Sequence, residues 1–121
     1  MTRMRITQAF TFEAAHRLPH VPQTHRCFRM HGHSYRVELT LEGPVDPVTG
    51  FVVDFFDVEA AFAPVLARLD HYCLNEVEGL ENPTAEHIAL WIWARVKPLL
   101  PLLASVRIYE TPQSFAEFCG A

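Results

Sequence analysis

The chain has 121 residues, of which 50% are hydrophobic and 20% charged, and its formal net charge is −4. Such a length and composition are typical of one soluble globular domain, so we expect residues 1–121 to form a single domain. No apolar run approaches the roughly 18 residues that a membrane-spanning helix needs, so no membrane association is expected.

The first eight residues, MTRMRITQ, lack the apolar segment of a secretory signal. Cys27, Cys73 and Cys119 are an odd number of cysteines and lie far apart, which disfavours a disulfide framework. We therefore expect a reduced, cytoplasmic protein.

The charge is unevenly distributed. The window from Ala14 to Val37 contains four arginines and no acidic residue, whereas the rest of the chain has six basic and fourteen acidic residues. This window either is a loop that happens to be basic or attracts an anionic ligand to this part of the protein. A nucleic-acid partner is disfavoured, because proteins that bind the phosphate backbone usually carry a larger basic excess.

Two strands are predicted in the first third of the chain. Residues 4–18 alternate between apolar and polar side chains, which predicts a strand, and residues 18–30 contain two prolines without periodicity, which predicts a loop. Residues 33–43 alternate again and predict a second strand, which ends at Gly43-Pro44. Its apolar face consists of Tyr35, Val37, Leu39 and Leu41.

A short third strand is predicted at residues 51–55, FVVDF, after a turn. Asp57 is then expected to cap a first helix whose apolar positions extend to Leu69, and Pro64 predicts a kink or a late start in it.

A second helix is predicted to begin after Asn82 as its cap, with Pro83 at its first position, or after Thr84 instead. It ends near Pro98, and residues 105–111, SVRIYET, predict the last strand. The fold class is therefore α+β, with a four-stranded antiparallel sheet and two helices on one face. Because the edges of such a small sheet need covering, we expect an oligomer.

His31 and His33 lie two residues apart at the start of the second predicted strand. On a helix they would point in different directions, but on a strand they share a face and can converge on one ion. If the first two strands pair as a hairpin, His16 is placed to supply a third ligand. We therefore predict a metal site on His16, His31 and His33.

Cys27 leaves two kinds of site open. With Cys27 as a fourth ligand, the site would be a closed structural zinc site; with an open position, it would be catalytic. In the second case the cation, Arg26 and Arg29 would favour the thiolate, which could act as base or nucleophile. The spacing alone does not separate these alternatives.

Two further features carry possible proton chemistry. Asp70-His71 pairs a carboxylate with an imidazole suited to proton transfer, although a histidine near a helix end is also favoured by the helix dipole. Glu110 follows an alternating strand, where it either faces water or accepts two N–H groups from a planar heterocycle.

Five segments together resemble the 6-pyruvoyl-tetrahydropterin synthase family. They are FTFEAAHRLPHVP, CFRMHGHSY, VDPVTGFVVDF, RLDHYCLNEVEGLENPTAEHIALWIW and the ET of Glu110-Thr111, and they span nearly the whole chain. Within the family, a cysteine followed after three residues by His-Gly-His is similar to the bacterial 6-carboxy-5,6,7,8-tetrahydropterin synthase branch of queuosine biosynthesis.

The resemblance implies roles for single residues. Zn²⁺ would be held by His16, His31 and His33, Cys27 would be the catalytic thiol, and Asp70 and His71 would relay protons. Glu110 would anchor the pterin, with Thr111 beside it. Arg26 and Arg29 are expected to bind the triphosphate because they lie in the window that contains no acidic residue.

The resemblance also implies the fold, the assembly and the reaction. The tunnelling fold joins the sheets of subunits into a barrel, two trimers stack as a homohexamer, and active sites lie between subunits. The expected activity is that of a zinc-dependent lyase acting on a pterin triphosphate, 7,8-dihydroneopterin triphosphate. A pyruvoyl-type synthase and a non-catalytic zinc-stabilised interaction module are the alternatives.

Overall fold

The computed structural model describes residues 2–121. The helices and strands are β1 (Arg3–His16), β2 (His31–Pro44), α1 (Phe55–Leu66), α2 (Ala85–Val96), β3 (Leu103–Thr111) and β4 (Ser114–Phe118). Single 3₁₀ turns lie at Arg26–Phe28 and Leu74–Glu76. Neither helix has the length and apolar character needed to cross a membrane.

The four strands form one antiparallel sheet in the order β1-β2-β3-β4. Both helices contribute to the core on one side of it. The predicted fold class is therefore confirmed, and β1 and β2 form the hairpin on which the expected position of His16 depended. That hairpin runs in unbroken register from Arg3 opposite Pro44 to His16 opposite His31.

The alternation in β2 decides which side chains meet at the end of this hairpin. The four predicted apolar side chains, Tyr35, Val37, Leu39 and Leu41, are completely buried. Burial of each side chain of this size contributes about 1.5–3 kcal/mol. A shift of one residue would expose the whole set, so the register is strongly fixed. Since side chains alternate, His31 and His33 lie on the same face as this apolar row.

The predicted strand at residues 51–55 is wrong. Residues 51–54 form a bend, and Phe55 already belongs to α1. The cap is Asp54, not Asp57, because its side chain accepts the N–H of Phe56 at 2.9 Å. This carboxylate ends the extended segment and starts the helix within the stretch that sequence patterning assigned to a strand.

Pro64 causes no late start of α1, which begins at Phe55. It lies in the last turn and the helix ends at Leu66, so Leu69 packs in the core from a following turn. The second helix is capped by Thr84, which accepts the N–H of His87 at 3.1 Å, so Asn82 is not its cap.

The fourth strand is β4, in the tail that the sequence analysis left unassigned. It pairs with β3, with Ala116 opposite Ile108 and Phe118 opposite Val106. The sheet thus has the predicted number of strands, but the strand order along the chain is different. Both helices precede the C-terminal hairpin β3–β4.

Candidate metal centre and active site

His16, His31 and His33 form one cluster where β1 and β2 meet the loop that joins them. The ring centroids are 4.6 Å apart for His16 and His31, 5.0 Å for His16 and His33, and 4.9 Å for His31 and His33. One nitrogen from each ring lies within 4.8 Å of the other two. The structure therefore brings the three predicted ligands together through the hairpin register.

Backbone carbonyls fix the tautomers of two of these rings. Nδ1 of His16 lies 2.8 Å from the carbonyl oxygen of Pro83, and Nδ1 of His31 lies 2.7 Å from that of Arg29. Because a carbonyl oxygen only accepts, each Nδ1 must carry the hydrogen and each Nε2 of a neutral ring has a free lone pair. Such carbonyl partners commonly orient metal-binding histidines.

The free lone pairs point at one another. Nε2 of His16 and Nε2 of His31 are 3.0 Å apart, and Nε2 of His33 is buried without any hydrogen-bond partner. Facing lone pairs repel, and a buried polar atom without a partner costs about 1–3 kcal/mol. A cation among the three nitrogens would remove both penalties, so the residues present fit a transition-metal ion.

The electrostatics of the cluster favour neutral rings, which is the form that binds metals. Burial is the main cause that lowers the pKa of His16 and of His33, and the nearby His31 ring, through the charge it would carry if protonated, lowers both further. The charge of Glu110 acts in the opposite direction on both rings.

The stability of the metal-free protein should decrease as the pH falls below about 6.5, the ordinary histidine pKa. The folded pKa values of His16 and His33 are depressed, so the unfolded chain binds these protons first and is favoured by acid. Thermal melts of metal-free protein between about pH 8 and about pH 5.5 should show a falling Tm, with a shallower fall in His33→Ala. A constant Tm over this range would contradict the burial of neutral rings.

Cys27 lies on the loop that connects β1 to β2, within the 3₁₀ turn Arg26–Phe28, and is half-buried. Its thiol is outside the group of donor atoms formed by the three histidines. Among the described residues the cluster therefore offers three candidate protein ligands and no fourth. This arrangement favours the open, catalytic type of site over the closed structural one.

The Asp70 carboxylate and the His71 ring lie in contact beside the outer edge of β1. Nδ1 of His71 lies 3.0 Å from Oδ1 of Asp70, which also accepts the N–H of Glu13 at 2.9 Å. The Glu13 N–H is the main cause that lowers the pKa of Asp70, and the bond to His71 lowers it further. The carboxylate thus remains charged and leaves Nε2 of His71 free to accept a proton.

The backbone at His71 is held in an uncommon conformation. Its φ of 66° is the only positive value among the non-glycine residues that the structure describes. The His71 N–H donates to the carbonyl of Glu13 at 2.6 Å, and the Ala15 N–H donates to that of Tyr72 at 3.1 Å. Strain of this kind is maintained most often at functional sites. Since α1 ends five residues earlier, the helix-dipole explanation of His71 does not apply.

Other candidate residues line two different cavities. A cleft of about 490 Å³ brings His71 together with His33, Glu13 and Ser34. A smaller cavity of about 200 Å³ contains Glu110, Ser114 and Phe115. Cys27 is not among the residues that line these two cavities.

Glu110 lies at an irregularity in the pairing of β3 with β4, between Tyr109 and Thr111. Such bulges redirect side chains, and the charge of this carboxylate raises the pKa of His16 and of His33. The Thr111 hydroxyl accepts the N–H of Gln113 at 3.3 Å, so it also stabilises the turn between the strands.

Arg26 and Arg29 are exposed and form no ion pair within the described residues. Arg17, by contrast, is engaged by the loop itself. Its guanidinium lies 4.6 Å from the centre of the Phe28 ring, and its Nε–H donates to the Phe28 carbonyl at 3.3 Å. Arg26 and Arg29 are therefore the arginines of this loop that remain available to a ligand.

The comparison with known families decides the assignment of the chain. The sequence model described as 6-pyruvoyl tetrahydropterin synthase matches residues 5–121. The chain belongs to the 6-pyruvoyl tetrahydropterin synthase family. This confirms the resemblance seen in the sequence.

Two relatives and one solved structure illustrate the relationship. The 6-carboxy-5,6,7,8-tetrahydropterin synthase of Synechocystis sp. is 41% identical over 119 residues, covering 93% of this chain and 91% of the relative. The 6-pyruvoyl tetrahydrobiopterin synthase of Drosophila melanogaster is 37% identical over 133 residues, covering 95% of this chain and 79% of the relative. The structure of Caenorhabditis elegans 6-pyruvoyl tetrahydropterin synthase matches with a TM-score of 0.93 and 28% identity, over 100% of this chain and 98% of that one. The structural match confirms the tunnelling fold.

For this member of the 6-pyruvoyl tetrahydropterin synthase family, sequence reasoning missed the groups that orient the ligands. The carbonyl of Pro83 meets His16 from 67 positions away, and Tyr35 places its hydroxyl 3.2 Å from the same Nδ1. Tyr35 was predicted only as a core residue. No pattern in the sequence marks a carbonyl group as a hydrogen-bond acceptor for a distant ring.

Proposed function

We propose that this protein is a 6-carboxy-5,6,7,8-tetrahydropterin synthase, a zinc-dependent carbon–carbon lyase of queuosine and 7-deazapurine biosynthesis. It converts 7,8-dihydroneopterin triphosphate and one water into 6-carboxy-5,6,7,8-tetrahydropterin, acetaldehyde and triphosphate. The observation that carries the proposal is the cluster of three histidines with free Nε2 atoms and no thiol among them. The relative from Synechocystis sp., which bears this name, supports the reaction class.

His16, His31 and His33 would hold the zinc ion. When bound, zinc supplies a Lewis acid that acidifies the C–H group next to the substrate's side-chain oxygens. The remaining tasks belong to the chain's own residues. They must accept and return protons, hold the pterin ring and bind the triphosphate.

Cys27 is proposed as the base that takes the acidified proton, because its thiol is outside the ligand group and so is free to exchange a proton. Asp70-His71 is proposed as the relay. The carboxylate holds Nδ1–H of His71, and Nε2 of the same ring accepts or returns the proton. The Glu110 carboxylate would fix the pterin by accepting two N–H groups, with Thr111 next to it.

The family resemblance implies active sites that lie between subunits, which requires copies of the chain to associate. We propose a homohexamer, formed as a dimer of trimers, in which strand edges pair between subunits. The free edge of β4 and the first half of β1 are available for this pairing, since residues 71–73 contact only the second half of β1. Large exposed side chains such as Val48, 91% exposed, and Phe56, 78% exposed, add apolar surface that association would cover.

The exposed Arg26 and Arg29 are proposed to bind the triphosphate, since the loop between β1 and β2 carries no acidic residue. The double variant Arg26→Ala, Arg29→Ala should raise KM for 7,8-dihydroneopterin triphosphate by about tenfold or more, because charge-assisted bonds contribute about 1.5–3 kcal/mol each. KM for dihydroneopterin, which lacks the phosphates, should change little. Equal changes for the two substrates would exclude this role.

The decisive experiment is mass analysis of the products formed from 7,8-dihydroneopterin triphosphate by the zinc-loaded protein. The proposal requires acetaldehyde, triphosphate and a pterin that carries a 6-carboxyl group. A product that keeps the three-carbon side chain would instead assign the pyruvoyl-type activity for which the Drosophila relative is named. If neither reaction occurs, the non-catalytic zinc-stabilised interaction module is the alternative that remains. We also propose that residues 1–121 form one domain and that the protein acts in the cytoplasm.

A further inference from the structure

The turn that carries Cys27 is capped by an imidazole. His25 precedes the turn in an extended conformation, with φ −73° and ψ 133°, and its Nδ1 accepts the N–H of Cys27 at 3.0 Å. Asn, Asp, Ser and Thr are the usual side chains for this task, because a short oxygen acceptor reaches the second N–H of the turn. Since the N–H group donates, Nδ1 must be unprotonated and the neutral ring carries its hydrogen on Nε2.

Both backbone groups of Cys27 are fixed by this arrangement. Its N–H is bound to His25, and its carbonyl oxygen accepts the N–H of Leu18 at 2.8 Å. The Phe28 N–H donates to the carbonyl of His25 at 3.0 Å and closes the turn. A single 3₁₀ turn of three residues has poor hydrogen-bond geometry and little stability of its own. The His25 side chain is therefore a large part of what fixes the Cα of Cys27.

The end of the turn is attached to the metal centre. Arg29, the residue after the turn, accepts the Nδ1–H of His31 at 2.7 Å through its carbonyl. An imidazole thus holds the segment at each end, His25 at its start and His31 at its end. The position of the thiol relative to the three-histidine cluster depends on both bonds.

We propose that His25 is a positioning residue that sets the Cys27 thiol for proton transfer by capping its turn. The inference rests on the proposed function in one respect, namely that Cys27 takes the substrate proton. Proton transfer requires heavy atoms within hydrogen-bond distance, and a displacement of about 1 Å in such a geometry can cost about 100-fold in rate. His25 itself is not a member of the histidine cluster and does not line the cavities that contain His71 and Glu110.

The test compares three variants of the zinc-loaded enzyme. His25→Ala removes the cap, and His25→Asn keeps a neutral acceptor suited to that position. His20→Ala is the matched control, because it removes another exposed loop histidine for which the described residues provide no hydrogen-bond partner. The measurements are kcat, KM, zinc content and the hydrogen-exchange rate of the Cys27 amide.

In His25→Ala we expect kcat to fall by about tenfold or more, KM to stay within about twofold and zinc content to be unchanged. The Cys27 amide should exchange faster. His25→Asn should restore both kcat and amide protection, and His20→Ala should resemble the wild type. The split between kcat and KM, together with the rescue, separates positioning from a general loss of loop structure.

Wild-type kcat in His25→Ala would overturn the proposal, and so would equal losses in His25→Asn and His25→Ala with the amide still protected in the asparagine variant. If the wild type forms no product, the proposed function fails, but the capping role is still decided. It is then supported if His25→Ala changes both amide exchange and the alkylation rate of Cys27 and His25→Asn reverses both changes. It is overturned if neither changes.

Discussion

Replacing Cys27 with alanine is expected to reduce kcat by about 10²–10⁴-fold, the usual contribution of a proton-transfer group. The metal content should stay at the wild-type level, because the thiol is outside the group of three imidazoles. Steady-state kinetics with 7,8-dihydroneopterin triphosphate and metal analysis of the same preparation test both parts.

The matched control for this variant is Cys119→Ser, which alters an exposed cysteine near the C-terminus. It should keep wild-type turnover and metal content. If Cys27→Ala loses the metal together with activity, the thiol is a ligand and the closed structural site is the correct alternative. If it keeps full activity, another group takes the proton.

The second large effect is expected at His33. His33→Ala should weaken zinc binding by more than about 100-fold, since even the groups behind a ligand contribute about 10–100-fold. Turnover at limiting zinc should be lost with it. The fold should survive, because Nε2 of His33 has no hydrogen-bond partner to leave unsatisfied and the apolar core does not include this ring. Competition with a chromogenic zinc chelator measures the affinity, and circular dichroism checks the fold.

His87→Ala is the control for that variant, since His87 is exposed on α2 and outside the cluster. It should bind zinc as the wild type does. Unfolding of the wild-type protein on chelation, rather than inactivation of a folded protein, would favour the zinc-stabilised interaction module. Unchanged affinity in His33→Ala would show that the three-histidine cluster is not the zinc site.

The errors in the predicted secondary structure came from local competition between signals. FVVDF has the composition of a strand, but Asp54 within it caps α1, and hydrogen bonding to the Phe56 N–H decides the outcome. In the tail, β4 contains only five residues and has no isolated stability, so its partner β3 determines that it is a strand. The first segment is thus decided by a local hydrogen bond, and the second by a partner strand that a local window does not contain.

In the candidate site, too, some features could be predicted from the sequence and others could not. The alternation of β2 predicted that His31 and His33 share a face, and the hairpin brought His16 to them as expected. Whether Cys27 belongs to the ligand group could not be predicted, because its position depends on how the loop between the strands is fixed. The structure fixes it through His25, Leu18 and the carbonyl of Arg29.

The sequence by itself determined the apolar row of the sheet and the family, because alternation and motif spacing are local properties. Only the tertiary structure decided the tautomers of His16 and His31 and the position of the Cys27 thiol outside the group of three candidate ligands. These features depend on carbonyl groups and packing contacts from remote parts of the chain. Such contacts exist only once the chain has folded.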